Sequence, residues 1–108
     1  MTKYATGRTN TLLDRSTTTA TGDWFEIPNR SDKLTFQAVV EGSGAVTAAV
    51  AIDVSNDGEN ALALGTISLS GTTLATDGFA IDAPWPYVRA RVTGITGTSA
   101  KATVTMGV

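Results

Sequence analysis

The chain ends in Pro84-Trp-Pro-Tyr-Val-Arg-Ala-Arg-Val-Thr-Gly-Ile-Thr-Gly-Thr-Ser-Ala-Lys-Ala-Thr-Val-Thr-Met-Gly-Val108. Apolar and polar residues alternate on both sides of a glycine-containing break, and this period of two is typical of half-buried antiparallel strands. The break at Gly94-Ile-Thr-Gly97 predicts a turn, so we expect the chain to end in a hairpin. The residues expected to point inward are Val88, Ala90, Val92, Ala100, Ala102, Val104, Met106 and Val108.

The same alternation predicts two strands in the middle of the chain, Lys33–Glu41 and Ala45–Ser55, joined by a turn at Gly42-Ser-Gly44. The outward face of the second strand is distinctive. The second strand has Thr47, Ala49, Ala51 and Asp53 on its outward side, a small and nearly uncharged face that could lie flat against another molecule. The inward rows are Leu34, Phe36, Ala38 and Val40 in the first strand, and Val46, Ala48, Val50, Ile52 and Val54 in the second.

Turn residues divide the rest of the chain into short segments. Ala61–Ser70 is predicted as a strand, followed by turns at Gly71-Thr-Thr73 and Asp77-Gly78, with shorter strands at Arg8–Asp14, Trp24–Ile27 and Phe79–Ile81. No eleven-residue window has helical periodicity. We therefore predict an all-β fold, a single antiparallel β-sandwich of jelly-roll-like type. One domain spans residues 1–108, and residues 1–7 form a flexible N-terminal arm.

Composition narrows the classes of function. The charged fraction is 17% and the net charge is −2, and the basic residues are scattered along the chain. Nucleic-acid binding usually needs a concentrated basic patch, so we expect no nucleic-acid partner. The sequence has no membrane-length apolar run and no signal-peptide pattern, so we expect no membrane contact and a protein that stays in the cytosol unless an assembly carries it out.

The chain contains no histidine and no cysteine. Catalysis by a Ser/His/Asp or Cys/His arrangement needs an imidazole base, and zinc sites are built mainly from these two residue types. We therefore predict no catalytic residues, no metal site and no cofactor. A small hydrolase that uses carboxylates from the set Asp57, Glu59, Asp77 and Asp82 is the weakest alternative, because a glycosidase needs two of them facing one cleft.

Five residues are candidates for an interface. Trp24, Trp85 and Tyr87 could form a platform for stacking sugars, although tryptophans also close the ends of a sandwich. Arg89 and Arg91 share a strand face with Tyr87, and they form either a solvated strand face or an interface stripe that pairs with carboxylates of a neighbouring molecule. A carbohydrate-binding module therefore stands as an alternative to a protein-binding surface.

Several motifs resemble those of small virion proteins of tailed bacteriophages. A strand ending in Ser55-Asn-Asp-Gly58, the Trp85-Pro-Tyr-Val-Arg89 strand and a closing Gly97-Thr-Ser-Ala100 segment stand in the same order in such proteins, and the similarity covers residues 33–108. The resemblance implies a jelly-roll-like head decoration (cement) protein that binds the major capsid protein and ties neighbouring capsomers together. It carries no catalytic residues to this chain.

The expected protein is thus a structural virion component, assembled in the host bacterial cytoplasm and present as a homo-oligomer, either a dimer or a trimer. Repeated weak contacts across a shell gain strength when one oligomer engages several subunits. A neck, tail or fibre component of the virion is the alternative within the same class.

Overall fold

The computed structural model describes residues 3–5, 9–27, 33–82 and 85–108. Their regular structure is entirely β, which confirms the predicted fold class. No helix in this part of the chain has the length and apolarity to cross a membrane. The strands in chain order are β1 (Lys3–Tyr4), β2 (Thr9–Ser16), β3 (Ala20–Thr21), β4 (Phe25–Glu26), β5 (Leu34–Ser55), β6 (Leu62–Ile81) and β7 (Tyr87–Gly107).

All seven strands belong to one hydrogen-bonded sheet. The long strand β5 lies in the centre, with β6 antiparallel on one side and β7 antiparallel on the other. The short strands β2, β3 and β4 follow one another along the second edge of β7, and β1 pairs in parallel with β4. In the described residues the sheet does not close on itself. The long strands at its centre are all antiparallel, as predicted. The arrangement as a β-sandwich stays a prediction.

The three long strands bend at the same level. A straight strand of 22 residues would measure about 70 Å, yet the longest dimension of the molecule is 40 Å. The register between β5 and β6 shifts between Glu41 and Ala45, and φ is positive at Gly44 of β5, Thr73 of β6 and Ser99 of β7. Bulges and left-handed residues of this kind bend a strand without ending its pairing.

Close backbone approach makes a glycine necessary at one point of the bend. Gly97 has a φ of 127°, and a Cβ built on it would lie 2.8 Å from the carbonyl oxygen of Ala45 and 2.9 Å from a methyl carbon of Val46. Any side chain there would both strain the backbone and push β5 away from β7.

The bend brings the two halves of the sheet into contact. The ring of Phe79 packs with Phe36 at a centroid distance of 5.3 Å. Its edge also lies 3.2 Å from the place that a Cβ on Gly65 would occupy. Because Gly65 and Phe79 lie on opposite sides of the bend in β6, the halves share one hydrophobic core.

Four predicted turns are wrong. Gly42-Ser-Gly44, Gly71-Thr-Thr73, Asp77-Gly78 and Gly94-Ile-Thr-Gly97 all lie inside continuous strands, and the chain does not end in a hairpin. Both halves of β7 pair instead with β5. The glycines bend the strands and do not reverse them, because each flanking segment already has a partner in the neighbouring strand.

The predicted inward rows are confirmed. The alternate residues of β5 and β7 are buried on both sides of the bend, and Val108 is half-buried against the core. The fully buried positions with the largest side chains include Leu34, Val40, Val46, Val50, Ile52, Val54, Val88, Val104 and Met106.

The predicted N-terminal arm falls partly outside the described residues. Of its seven positions, Lys3 and Tyr4 form β1, and the backbone N–H of Lys3 donates to the carbonyl oxygen of Trp24 at 2.8 Å. Ala5 is buried, and its N–H donates to the carbonyl oxygen of Glu26. These three residues are therefore held on the sheet, in contrast to the expected free arm.

Candidate functional site

The outer face of the β5–β7 pair, the face turned away from the core, carries a cluster of one acid and two bases. Asp53 of β5 lies directly opposite Arg89 of β7, and Arg91 follows two residues later on the same face. The Nε of Arg89 donates to Asp53 Oδ2 at 3.0 Å. Arg91 donates from Nε to Oδ2 at 2.7 Å and from Nη2 to Oδ1 at 3.2 Å. Two guanidinium groups thus hold a single carboxylate.

Burial within this cluster is uneven. The Asp53 side chain is 3% exposed, whereas those of Arg89 and Arg91 are 23% and 34% exposed. A buried carboxylate is tolerated when charged donors satisfy its oxygens. The two arginines carry one more charge than Asp53 neutralises, and both retain access to solvent. The three-residue cluster therefore carries a net charge of +1, and Glu26 lies opposite Tyr87 on the same face of the sheet.

Trp24 covers part of the cluster. The Arg89 guanidinium carbon lies 4.5 Å from the centroid of the Trp24 ring. Trp24 reaches this position because the segment from β3 to β4 follows the free edge of β7, with Thr21 opposite Arg91 and Phe25 opposite Val88. The ring faces the guanidinium as a cation–π partner and restricts its rotation.

An open depression lies next to the cluster. It has a volume of about 500 Å³ and is lined by residues 19–21 from the β3 region and by residues 91–93 of β7. Arg91 belongs both to this lining and to the Asp53 cluster. The depression therefore adjoins the cluster through Arg91.

Tyr87 borders the same face at the end of the sheet. It lies opposite Ser55 in the β5–β7 pairing, and its Cδ1 lies 3.4 Å from the place that a Cβ on Gly58 would occupy. Gly58 has a φ of 73°, which favours glycine. The tyrosine ring thus packs on the turn between β5 and β6.

Asp57 organises this turn. Its Oδ1 accepts hydrogen bonds from the Ser55 hydroxyl at 2.6 Å and from the backbone N–H groups of Glu59 and Asn60 at 2.9 Å. Its Oδ2 accepts one from the Asn60 amide at 2.7 Å. These bonds, the one from Ser55 foremost, lower the pKa of Asp57 well below its usual range. Its carboxylate is an anchor for the turn and is ionised at neutral pH.

Two other acids of the predicted hydrolase set, Asp77 and Asp82, also have local partners. Asp77 Oδ1 accepts from the N–H of Gly78 at 2.8 Å. Asp82 lies 3.6 Å from Lys33 Nζ, with both side chains exposed. Within residues 3–5, 9–27, 33–82 and 85–108, no three acidic side chains come together in a way that could hold a metal ion.

The structure brings four of the five predicted interface residues together. Trp24, Tyr87, Arg89 and Arg91 lie on or beside one surface, here called the arginine face, with Asp53 at its centre. Trp85 is half-buried and packs against the hydrophobic core. The three aromatic rings have different neighbours, and a common platform for stacking sugars stays a prediction from the sequence.

Asp53 is the residue that sequence reasoning missed. The sequence left two alternatives for the arginines, a solvated strand face or pairing with carboxylates of a neighbour, but their carboxylate partner is in the same chain. The strand Ala45–Ser55 contains a single charged residue, and the last strand has two arginines at alternate positions. An acid on one strand and two bases on another strand of the same predicted sheet could have indicated a cross-strand ion pair.

Comparison with known proteins gives a structural match. No protein-family model matches the chain, and no curated protein matches it significantly. The crystal structure of the SPBc2 prophage-derived protein YomS is similar in fold, with a TM-score of 0.60 and 17% sequence identity. The match covers 91% of this chain and 88% of that chain. The likeness thus extends over nearly the whole bent sheet.

Proposed function

We propose that the protein is a structural component of a bacteriophage particle. The observation that carries this proposal is the similarity in fold to YomS, a prophage-derived protein, over 91% of the chain. The motifs Ser55-Asn-Asp-Gly58 and Trp85-Pro-Tyr-Val-Arg89, which resemble those of small virion proteins, support the same assignment.

Within the particle, the proposed role is that of a head decoration protein. It binds the major capsid protein on the assembled shell and ties capsomers together without covalent bonds, as an oligomer that is part of the virion. The proposed fold of such a protein is a jelly-roll-like β-sandwich. The contact of Phe79 with Gly65 across the shared core supports it.

The arginine face is the proposed contact with the shell. Arginine, tryptophan and tyrosine are the residues most enriched at the energetic centres of protein interfaces. Here Asp53 and Trp24 already hold the side chain of Arg89 in place, so less conformational entropy is lost when a partner binds. The excess positive charge favours an acidic patch on the capsid protein as the partner surface.

The proposed mode of action is adhesion, without a chemical reaction. Asp57, the acid with the lowered pKa, is fully engaged in its own turn. A decoration protein needs a rigid body and a defined surface, and both are present.

The test is co-sedimentation with empty heads of the phage that encodes the protein. We expect the wild-type protein to sediment with the heads and to raise their resistance to heat or osmotic shock. Trp24→Ala should weaken binding, whereas the matched tryptophan variant Trp85→Phe should bind normally, with folding of both verified by circular dichroism. Heads that are neither bound nor stabilised would exclude the decoration role. Antibody labelling of intact particles at the neck or tail would then indicate the alternative virion position.

A further inference from the structure

The two edges of the sheet are built differently. One edge contains β2, which has two register shifts against β7, a positive φ at Arg15 and two charged residues, Asp14 and Arg15, in eight positions. Bulges, charges and short length are the features that keep a strand edge from pairing with another chain. The edge formed by β2 is thus protected.

The other edge is β6, which also has two register shifts against its neighbour β5 and a positive φ at Thr73, but it differs from β2 in length and charge. It is 20 residues long and contains one charged residue, Asp77, with no lysine and no proline. Its only partner among the described strands is β5, so its second side presents a row of unpaired backbone donors and acceptors. Leu62 and Leu74 on this strand are 55% and 56% exposed, and they are the large exposed hydrophobic residues of the described chain.

We infer that β6 pairs with β6 of a second copy of this chain, forming a two-fold symmetric dimer. Strands bent at the same level can pair along their full length, as β5, β6 and β7 do within the molecule. Two copies of β6 meet this condition when the two-fold axis passes through the bend at Thr73. Residues 65–72 of each copy then run antiparallel to residues 74–81 of the other, and both halves of the sheet continue into the partner.

The side chains fit this register. Thr72 of one copy faces Leu74 of the other, so the two copies of the exposed Leu74 lie close to the axis. Asp77 of one copy faces Leu69 of the other copy. The only charged residue of β6 is therefore not opposite the same residue of the partner. Like charges directly opposite each other would destabilise a strand pair, and this arrangement has none.

The size of the contact is within reach of a specific interface. The 17 residues from 65 to 81 that pair in this register have a path of about 56 Å, and a strip about 10 Å deep along it gives roughly 1,100 Å² of buried surface over both partners. A biological interface should bury about 1,000 Å² or more. Because each copy has one unprotected edge, the pairing closes after two copies and does not continue into a filament.

The test is the mass of the protein in solution, and it does not depend on the proposed virion role. Sedimentation equilibrium should give twice the chain mass of 11.1 kDa. The double variant Thr72→Lys/Leu74→Lys places lysines opposite each other across the axis and should be a folded monomer. Thr9→Lys/Thr11→Lys adds the same charge to exposed positions of β2 and should remain a dimer. A monomeric or trimeric wild-type protein, or a lysine pair in β6 without effect, would overturn the inference.

Cross-linking tests the position of the axis. The chain has no native cysteine, so a single introduced thiol reports on one site. Thr73→Cys should form a disulfide-linked dimer on mild oxidation, because Cα atoms at the axis are about 5 Å apart and a disulfide bridges up to about 7 Å. Thr66→Cys, on the same strand but far from its own copy, should not. The reverse result would contradict a register centred on the bend.

Discussion

The two faces of the β5–β7 pair bury their central residues by different physical means. On the inner face, Val50, Ile52 and Val54 are fully buried among other apolar side chains. On the outer face, Ala51 and Asp53 are almost as deeply buried, at 4% and 2% exposure, and Asp53 is held there by Arg89 and Arg91. The inner face depends on volume and apolar contact, and the outer face depends on charge pairing.

This difference indicates where specificity lies. Apolar cores accept many residues of similar volume, so the inner face constrains the fold but says little about a partner. A buried carboxylate is tolerated only with its particular donors in place, so Asp53 fixes Arg89 and Arg91 in one geometry. The outer face is therefore a surface whose positive charge has a defined position.

Removing both arginines should give the largest effect. Arg89→Ala/Arg91→Ala leaves Asp53 buried without a charged partner, and loss of the partners of a buried charge costs about 3–5 kcal/mol. Urea denaturation should show this loss in the free energy of unfolding. The triple variant that also carries Asp53→Ala should recover much of it. Equal stability of the double and triple variants would show that burial of Asp53 is not the cause.

A small change on the inner face should cost less. Ile52→Val removes one methylene from a fully buried side chain, and such changes typically cost about 0.5–1.5 kcal/mol. The same denaturation assay measures it. Binding to phage heads should be unchanged, because the inner face does not reach the surface; altered binding would mean that the two faces are not independent.

Trp24→Ala should have a still smaller effect on stability. Its cation–π contact with Arg89 is partly exposed, and contacts of that kind contribute about 0.5–1 kcal/mol. A double-mutant cycle with Arg89→Ala isolates the coupling between the two side chains. A coupling energy near zero would show that Trp24 does not hold the arginine.

The exposed acid Asp57 should stabilise the fold at neutral pH and lose that contribution at acidic pH. Its pKa is lowered in the folded protein, so its contribution is present above the unfolded value of about 3.9 and is lost as the pH falls below it. Asp57→Asn should therefore flatten the acid limb of a plot of Tm against pH. Asp82→Asn, which removes an exposed surface pair with Lys33, is the control and should leave that limb nearly unchanged. Identical curves for both variants would contradict the role of the Ser55–Asp57 turn.

The periodicity of the sequence was enough to predict the fold class and the inward rows. Residues such as Phe36, Ile52 and Val104 alternate with polar neighbours, and that alternation survives the bend. The bends themselves were predicted as turns, because a composition such as that of Gly42-Ser-Gly44 or Gly94-Ile-Thr-Gly97 fits both a bend within a strand and a hairpin turn. Only the pairing of β5 with both halves of β7 distinguishes a bent strand from a hairpin, and this pairing joins residues up to 72 positions apart.

The sequence was enough to predict that the arginines belong to the candidate site, but not how the residues of the site are arranged. Tyr87, Arg89 and Arg91 share a strand face, which follows from a period of two. The contact of Trp24 with Arg89 depends on the path of the segment from β2 to β4 along β7. Nothing in the local sequence of residues 17–24 specifies that path.

Oxidative footprinting of the protein, free and bound to phage heads, tests the arginine face most directly. Trp24 and Tyr87 lie on that face, and Trp85, packed against the core, serves as an internal reference. We predict that Trp24 and Tyr87 become protected from oxidation in the bound state while Trp85 is unchanged. Bound protein in which Trp24 and Tyr87 are oxidised as fast as in the free protein would contradict the assignment of this face as the binding surface.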